Sequence, residues 1–432
     1  MPSDDELRQI LLDQHEELKA PPPAGKWIPR TQEQALRKAL GRPLIKVIMG
    51  VRRSGKSVLA RLVLGGQDFA YINFDDERLA SLKTEDLQRL EKAVSALWPS
   101  TRLWFLDEIQ NVAGWELFVN RLQRAGHNLV VTGSNSKLLS HELSTHLTGR
   151  YVSVELFPFS FREFLAARGE SPSGALESTR EKAHFEERLR EYGEVGGFPE
   201  MVLSGSSAEY LRELHDKIVS RDIAARYKVR QPRTLKELSL YCFSNPATSL
   251  THNSVKRTFD FKSVHTAGNY VHFLEEAYLI LLARPFAFKF RERIRQARKV
   301  YTVDNGLTRA LTTKVSQDRG ALLENLVFQE LKRRGVDAYS LSQPDYEVDF
   351  LIRDERQVAQ LIQVCAGLDK PVTVAREYGA LYKAGKATRC KELLLLTPDG
   401  AAPSEQWVPS GPAVRVEPIW KWLLGVEPRS SS

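Results

Sequence analysis

Eight residues, GVRRSGKS at 50–57, decide how this chain is read. They match GxxxxGK followed by Ser or Thr, a pattern that carries meaning only between a strand and a helix. Both neighbours are present. LIKVIMG (44–50) is a short apolar run ending in Gly, which predicts a buried strand, and SGKSVLARLVLG (54–65) continues as a helix. Gly50 and Gly55 lack a Cβ, so the backbone there can bend and approach an anion closely. The N–H groups of Val51, Arg52, Arg53, Ser54, Gly55, Lys56, Ser57 and Val58 then face phosphate at the helix N-terminus. Lys56 is placed to reach the β- and γ-phosphates of ATP, and Ser57 to ligate Mg²⁺. Arg52 and Arg53 are further phosphate-facing candidates.

Moving outward, LWFLDEIQ (103–110) predicts a second core strand that delivers Asp107 and Glu108 at its C-terminal edge. Ligands bind at that edge in open α/β sheets. Asp107 is expected in the Mg²⁺ shell, and Glu108 is expected to polarise an attacking water. A kinase would need an acceptor site rather than a water-activating Glu, so the pair favours hydrolysis. VVTGSNS (130–136) ends another strand with Ser134 and Asn135, which are candidate γ-phosphate sensors or plain turn residues. Arg150, just before the strand YVSVELFP (151–158), is a candidate arginine finger acting in cis or on a neighbouring subunit, or a surface arginine.

The wider pattern sets the fold class. Strands at 44–50, 69–76, 103–110, 128–136 and 151–158 alternate with helical segments at 54–65, 84–98 and 116–126. That alternation predicts an α/β core with an open, mostly parallel sheet. Residues 3–20 and 31–41 read as helices separated by PPPAG. From Phe159 to about 230 the chain reads as helical.

Two more segments carry chemistry. Residues 234–280 read as a helix, a break at Asn245-Pro246, and two further helices. The last of them, SVHTAGNYVHFL from Ser263, groups Val264, Ala267, Val271 and Leu274 as apolar and presents His265, Thr266 and Asn269. Residues 289–299 then hold six Lys/Arg and one Glu, with Lys289, Arg291, Arg293 and Arg295 on one face of a strand. A recognition-like helix followed by a basic hairpin describes a winged helix contacting DNA phosphates, or one used only for packing or subunit contacts. Further on, Glu324 lies on a helix, Asp349 on a strand, and Gln363 on the strand LIQVC. Glu…Asp…Gln-x-Lys is the pattern of the restriction-endonuclease-like fold, where carboxylates hold divalent ions. Here Cys365 fills the Lys slot, and a thiol suits that role poorly. Lys370, further along, could swing in as a substitute, though nothing in the sequence requires it. An active nuclease, a fold kept for binding, and an unrelated α/β domain remain open; the fold kept for binding is preferred.

Taken together, GVRRSGKS, INFDDERL, LWFLDEIQNVAGWELFVNRL, VVTGSNSKLLS, LTGRYVSVELFPFSFREFL and YGEVGGFPEM resemble a prokaryotic group of AAA-plus-type ATPases, over about residues 29–370. The resemblance implies ATP binding and hydrolysis, a helical lid, a winged-helix segment and a nuclease-like C-terminal fold. AAA-plus sites usually lie between subunits, so it also implies a homo-oligomer.

Composition narrows the classes that remain. The chain has 432 residues, enough for several domains, and its 42% hydrophobic and 27% charged residues are ordinary for a soluble globular protein. No apolar run is long enough to span a membrane. The polar, acidic N-terminus lacks the layout of a signal peptide. Three scattered cysteines exclude a CxxC-type zinc site and point to the cytoplasm. A net charge of +8 leans mildly toward a polyanion such as DNA. The expected organisation is an N-terminal helix and linker (1–25), an ATPase core (26–160), a helical lid (161–230), a winged helix (231–303) and a nuclease-like domain (304–432). Its expected task is Mg²⁺-ATP hydrolysis driving conformational change in a DNA-associated assembly. The alternatives are a slow ATP switch with a protein partner, and an ATP-regulated nuclease.

Overall fold

The computed structural model describes residues 2–20, 27–134, 149–171, 178–287, 296–312, 319–354 and 357–425. The chain divides into two compact units, residues 1–158 with 276–278, and residues 159–275 with 279–432.

The first unit runs α1 (Asp4–Glu17), α2 (Glu33–Leu40), β1 (Ile45–Met49), α3 (Lys56–Leu64), β2 (Ala70–Asn73), α4 (Leu87–Leu97), β3 (Leu103–Asp107), α5 (Trp115–Arg124), β4 (Asn128–Gly133) and β5 (Tyr151–Glu155). Its strands form one parallel sheet in the order β2-β3-β4-β1-β5. All residues of β1 and β3 are buried, as expected of central parallel strands with both faces covered. Against the sheet, α3 buries Leu59, Ala60, Val63 and Leu64. A nine-residue helix is marginal alone, so this stripe holds it. Burial of each large side chain in it contributes about 1.5–3 kcal/mol. Lys46 is the polar exception in β1. Its Nζ donates to Arg42 O at 2.8 Å and to Asn128 Oδ1, and burial lowers its ammonium to about 8.

Helix α1 starts on a reciprocal cap. Glu6 N–H donates to Ser3 Oγ at 3.2 Å, and Ser3 N–H donates to Glu6 Oε2 at 2.6 Å. Farther along the helix, Gln14 binds the backbone of Asn73 through both side-chain atoms, which covers the edge strand β2.

The second unit begins with α6 (Phe161–Ala167), α7 (Thr179–Val195), α8 (Pro199–Ser204) and α9 (Ala208–Lys217), which continues as a π-helical stretch to Ala225. Next come α10 (Pro232–Ser244), β6 (Thr248–Leu250), α11 (His252–Thr258), α12 (Val264–Glu276), β7 (Ile280–Pro285) and β8 (Arg298–Thr302). The rest is α13 (Asn305–Leu311), α14 (Arg319–Arg333), β9 (Ala338–Gln343), β10 (Tyr346–Asp354), β11 (Gln357–Val364), α15 (Pro371–Thr388), β12 (Leu393–Thr397), β13 (Arg415–Pro418) and α16 (Ile419–Leu423). One mixed sheet, β13-β12-β11-β10-β9-β7-β8-β6, runs through the unit. β6, β8 and β7 pair antiparallel, as do β9, β10 and β11; β12 and β13 continue parallel to β11. One face of β9–β12 packs on α15 through Leu341, Val348, Leu351, Val374, Leu381 and Leu395. On α14, Phe328 stacks on Tyr301 and on Phe350, with ring centroids 4.1 and 5.8 Å away, and those two rings are 5.9 Å from each other.

Two expected divisions fall differently here. Residues 161–230, expected as a lid on the P-loop core, pack inside the second unit. Gly197 N–H donates to the buried Asp304 carboxylate at 2.7 Å, and Arg333 reaches Phe159 O at 3.3 Å and Tyr192 Oη at 3.2 Å. Gly197 permits this packing, since a Cβ there would sit 2.2 Å from Phe159 O. The boundary expected at 303/304 divides one continuous sheet, because Arg284 and Pro285 of β7 pair in parallel with Tyr339 and Ser340 of β9.

Candidate functional site

β4 lies between β1 and β3, so the C-terminal ends of these three strands stand side by side. That arrangement brings the GVRRSGKS loop, the Asp107-Glu108 pair and Ser134 to one edge. Gly50 and Gly55 adopt φ of 150° and 93°. A Cβ on Gly50 would lie 1.9 Å from Leu156 O, so only Gly fits there. Arg30 braces the loop from behind, donating to Ser54 O at 2.9 Å and to Phe157 O at 2.7 Å. Sequence reasoning missed Arg30, because nothing local marks an arginine 24 residues before its partner. Ser54 Oγ is buried in the loop with no hydrogen-bond partner among the described residues.

Lys56 is buried, and its Nζ donates to Gly50 O at 3.2 Å and Val51 O at 3.3 Å, 3.5 Å from Glu108 Oε1. Ser57 Oγ donates to Asp107 Oδ1 at 3.0 Å. Asp107 also accepts from Thr132 Oγ1, and from Tyr71 Oη at 3.2 Å. Burial, then the neighbouring Glu108 charge, push the Asp107 carboxyl up to about 6. Glu108 moves the other way. Burial works to raise it, but the Lys56 charge and the Gln110 side chain outweigh that and hold it below the usual carboxylate range. Adjacent carboxylates with diverging environments are a signature of divided roles. Glu108 sits at φ 51°, ψ 41°, a left-handed conformation that is costly for Glu. Its N–H is tied to Thr132 Oγ1 at 3.0 Å, and its carboxylate takes a hydrogen bond from Ser134. Thr132 and Tyr71 are functional-site residues that sequence reasoning did not single out. Thr132 was legible in VVTGSNS, two residues before Ser134.

Other expected residues are placed apart or lie outside the described chain. Arg52 pairs with Asp75 at 3.2 Å, and Arg53 is exposed at φ 68°. Arg150 stands at the N-terminal start of β5, the sheet edge opposite the loop, where it donates to Asn120 Oδ1 at 2.8 Å. It therefore does not reach the loop of its own chain, because a parallel strand carries its first and last residues to opposite edges. Asn135 lies outside the described residues, as do Lys289, Arg291, Arg293 and Arg295.

In the second unit, His265 is exposed, while Thr266 and Asn269 are half-buried on α12. Ala267, Val271 and Leu274 are buried as expected, but Val264, the first residue of α12, is 39% exposed.

Glu324 on α14 and Asp349 on β10 do converge, with Gln363 beside them. Asp349 N–H donates to Gln363 Oε1 at 3.2 Å, and Val364 N–H donates to Asp349 Oδ2 at 2.9 Å. A bulge in the β10–β9 pairing between Val348 and Leu351 lets Asp349 and Phe350 depart from simple alternation. The group among these carboxylates is Lys299 of β8, which was counted from the sequence with the basic wing. Its Nζ lies 3.0 Å from Glu324, 2.6 Å from Glu347 and 3.3 Å from Asp349. Burial works to lower that ammonium, but the three carboxylates outweigh it and raise it above the usual lysine value. Tyr301 Oη donates to Glu324 at 2.6 Å. Burial, then the neighbouring Asp349 charge, push the Glu324 carboxyl above its usual range. Cys365 Sγ donates to Gly367 O at 3.0 Å, and burial raises its thiol. Lys370 is exposed and lines the same cavity of about 1090 Å³.

The comparisons agree with the first site. Residues 42–165 match an AAA domain family, and residues 186–318 match a domain of unknown function (DUF8612). The uncharacterized protein MJ1544 of Methanocaldococcus jannaschii is 35% identical over 397 residues, covering 88% of each chain. An uncharacterized protein of Haemophilus influenzae is 33% identical over 332 residues, covering 73% of this chain and 80% of its own. The Walker-type ATPase of Pyrococcus abyssi is a solved structure with 15% identity and TM-score 0.43, covering 66% of this chain and 96% of that one. No helix among the described residues is long and apolar enough to cross a membrane. By its AAA domain and its match to MJ1544 over most of both chains, the protein belongs to this family of AAA-type P-loop ATPases.

Proposed function

We propose that the protein hydrolyses ATP with Mg²⁺ at the edge of the first sheet and couples nucleotide state to a conformational change in a DNA-associated assembly. The observation that carries the hydrolytic reading is the split Asp107–Glu108 pair. Glu108 is kept ionised beside Lys56, while Asp107 shares a hydrogen bond with Ser57. Ser57 and Asp107 are hard oxygen donors in mutual contact, and they fit Mg²⁺, which would neutralise phosphate charge there. The backbone N–H groups of residues 51–58 and the Lys56 ammonium bind the phosphates. Glu108 accepts the proton of the attacking water, and Ser134 with Asn135 senses the γ-phosphate. In this reading Arg150 serves as a finger only toward a neighbouring subunit, which fits a homo-oligomer.

The Lys56→Ala variant tests the phosphate site. Removing a charge-assisted contact worth about 2–3 kcal/mol should weaken ATP binding roughly 30- to 150-fold, read by nucleotide titration. Unchanged affinity would remove Lys56 from the site.

The DNA reading is supported by topology. The order α10-β6-α11-α12-β7-β8, with β6-β8-β7 antiparallel, supports a winged helix in which α12 would be the recognition helix, carrying His265, Thr266 and Asn269. The order α14-β9-β10-β11-α15-β12 supports a restriction-endonuclease-like half, read as a fold kept for binding. Binding to duplex DNA should weaken as salt rises. Replacing Arg291, Arg293 and Arg295 by Ala should reduce the slope of log K against log salt by up to about 3. Binding that ignores salt would sink this assignment.

A further inference from the structure

The carboxylate cluster of the second unit already contains a cation, and that cation belongs to the chain. Glu324 comes from α14, Glu347 and Asp349 from β10, and Lys299 from β8. An ammonium has three protons to donate, and here three carboxylates stand within 3.3 Å of Nζ. Two further donors bind the same carboxylates. Asp349 Oδ2 accepts from Val364 N–H, and Glu324 Oε1 accepts from Tyr301 as well as Lys299. The spacings around Nζ, 2.6–3.3 Å, are those of an ammonium among carboxylates, so the nitrogen occupies the space at the centre of the three acids. Among the described residues no group of His, Cys, Asp and Glu is arranged to hold a metal ion.

We propose that the Lys299 ammonium is the resident cation of the Glu324–Glu347–Asp349 site, and that it keeps a divalent ion out of that site. The inference stands on the geometry of the second unit and is independent of ATP hydrolysis in the first. Two physical effects underlie it. The ammonium supplies the positive charge that Asp349 and Glu324 need in their largely buried positions, and it also holds the more exposed Glu347. It also repels any second cation brought within a few ångströms. Deleting the charge while keeping the stem therefore leaves a divalent-cation site of three hard oxygen donors on the wall of an open cavity.

The test uses the full chain without nucleotide, with Mn²⁺ as probe followed by paramagnetic resonance and calorimetry. Wild-type protein and Asp349→Asn should show the same Mn²⁺ binding, since Asp349 takes no part in it. Lys299→Met should gain one Mn²⁺ per chain, at least tenfold tighter than any wild-type binding. That gain should vanish in Lys299→Met/Asp349→Asn. Lys299→Met should also melt at lower temperature and recover when Mn²⁺ is added. Wild-type Mn²⁺ binding that is lost in Asp349→Asn would overturn the proposal, because Lys299 would then act beside a metal. A folded Lys299→Met chain that gains no Mn²⁺ would overturn it too. If Lys299→Met does not fold, the comparison of wild type with Asp349→Asn still decides.

Discussion

A Glu108→Gln chain should bind ATP as tightly as wild type and turn it over about 10²- to 10⁴-fold more slowly, the usual contribution of a positioned general base. Gln has nearly the shape of Glu and retains a carbonyl oxygen for the Gln110 and Ser134 contacts, so the loop should keep its form. What disappears is the charge that accepts a proton. The contact with Lys56, 3.5 Å away, also weakens, which frees the ammonium for phosphate and should not reduce affinity. The variant should accumulate with ATP rather than ADP bound. Nucleotide content after a single turnover and steady-state phosphate release check both halves. Normal turnover in Glu108→Gln would remove Glu108 as the base and return the site to a binding switch.

The strained backbone at Glu108 bears on the same result. A left-handed Glu costs on the order of 1–3 kcal/mol, and Thr132 and Ser134 of the neighbouring strand end hold it in place. The proposed base is thus held by the end of β4 in the nucleotide-free chain. Contacts between β4 and Glu108 also link the proposed base to the strand end that carries Ser134, the proposed γ-phosphate sensor.

The P-loop was legible because its chemistry is local. Strand, glycines, lysine and helix fall within about twenty residues, and each element is marked by its own pattern. The Asp107-Glu108 pair was legible for the same reason, as an apolar strand ending in acids. Strand order was not legible. Nothing in NLVVTG says that β4 inserts between β1 and β3, because parallel pairing joins distant segments. Arg150 shows the cost of reading position without direction: lying next to a strand does not reveal which sheet edge a residue occupies. Lys299 shows a different limit. In RKVYT it looked like one more positive charge in a basic stretch, yet its partners lie 25 and 50 residues further on. The signal available was a lysine two residues before Tyr301, on the same face of a short strand; a lysine buried there requires an acid partner. Conversely, Glu324, Asp349 and Gln363 were brought together as their pattern indicates, and Cys365 stayed a buried thiol with a local backbone partner.

Asp107→Asn should stabilise the nucleotide-free protein while disabling it. The Asp107 carboxyl is raised in the folded state from its ordinary 3.8 to about 6, by burial first and Glu108 second. A raised acid binds more protons when folded than when unfolded, so stability falls as pH climbs from about 4 to about 6 and stays low above that. Two pK units correspond to about 3 kcal/mol. Asn lacks the buried charge but still accepts from Ser57 and Thr132, so at pH 7.5 it should recover about 1–3 kcal/mol. That is about 2–4 °C in melting temperature per kcal/mol for a unit of this size. The gain should shrink as pH is lowered from 6 toward 4, where wild-type Asp107 is itself neutral. Adding Mg²⁺ and ATP should reverse the order. Ligand that binds only the folded state raises the wild-type melting temperature, and Asn, a weaker ligand for a hard cation, should forfeit most of that rise together with turnover. Melting curves of both chains at pH 5 and 7.5, with and without Mg²⁺-ATP, separate the two effects. If Asp107→Asn is no more stable than wild type at pH 7.5 without nucleotide, Asp107 does not hold a strained charge in wait for a cation. The burial of this pair would then serve the core and not the site.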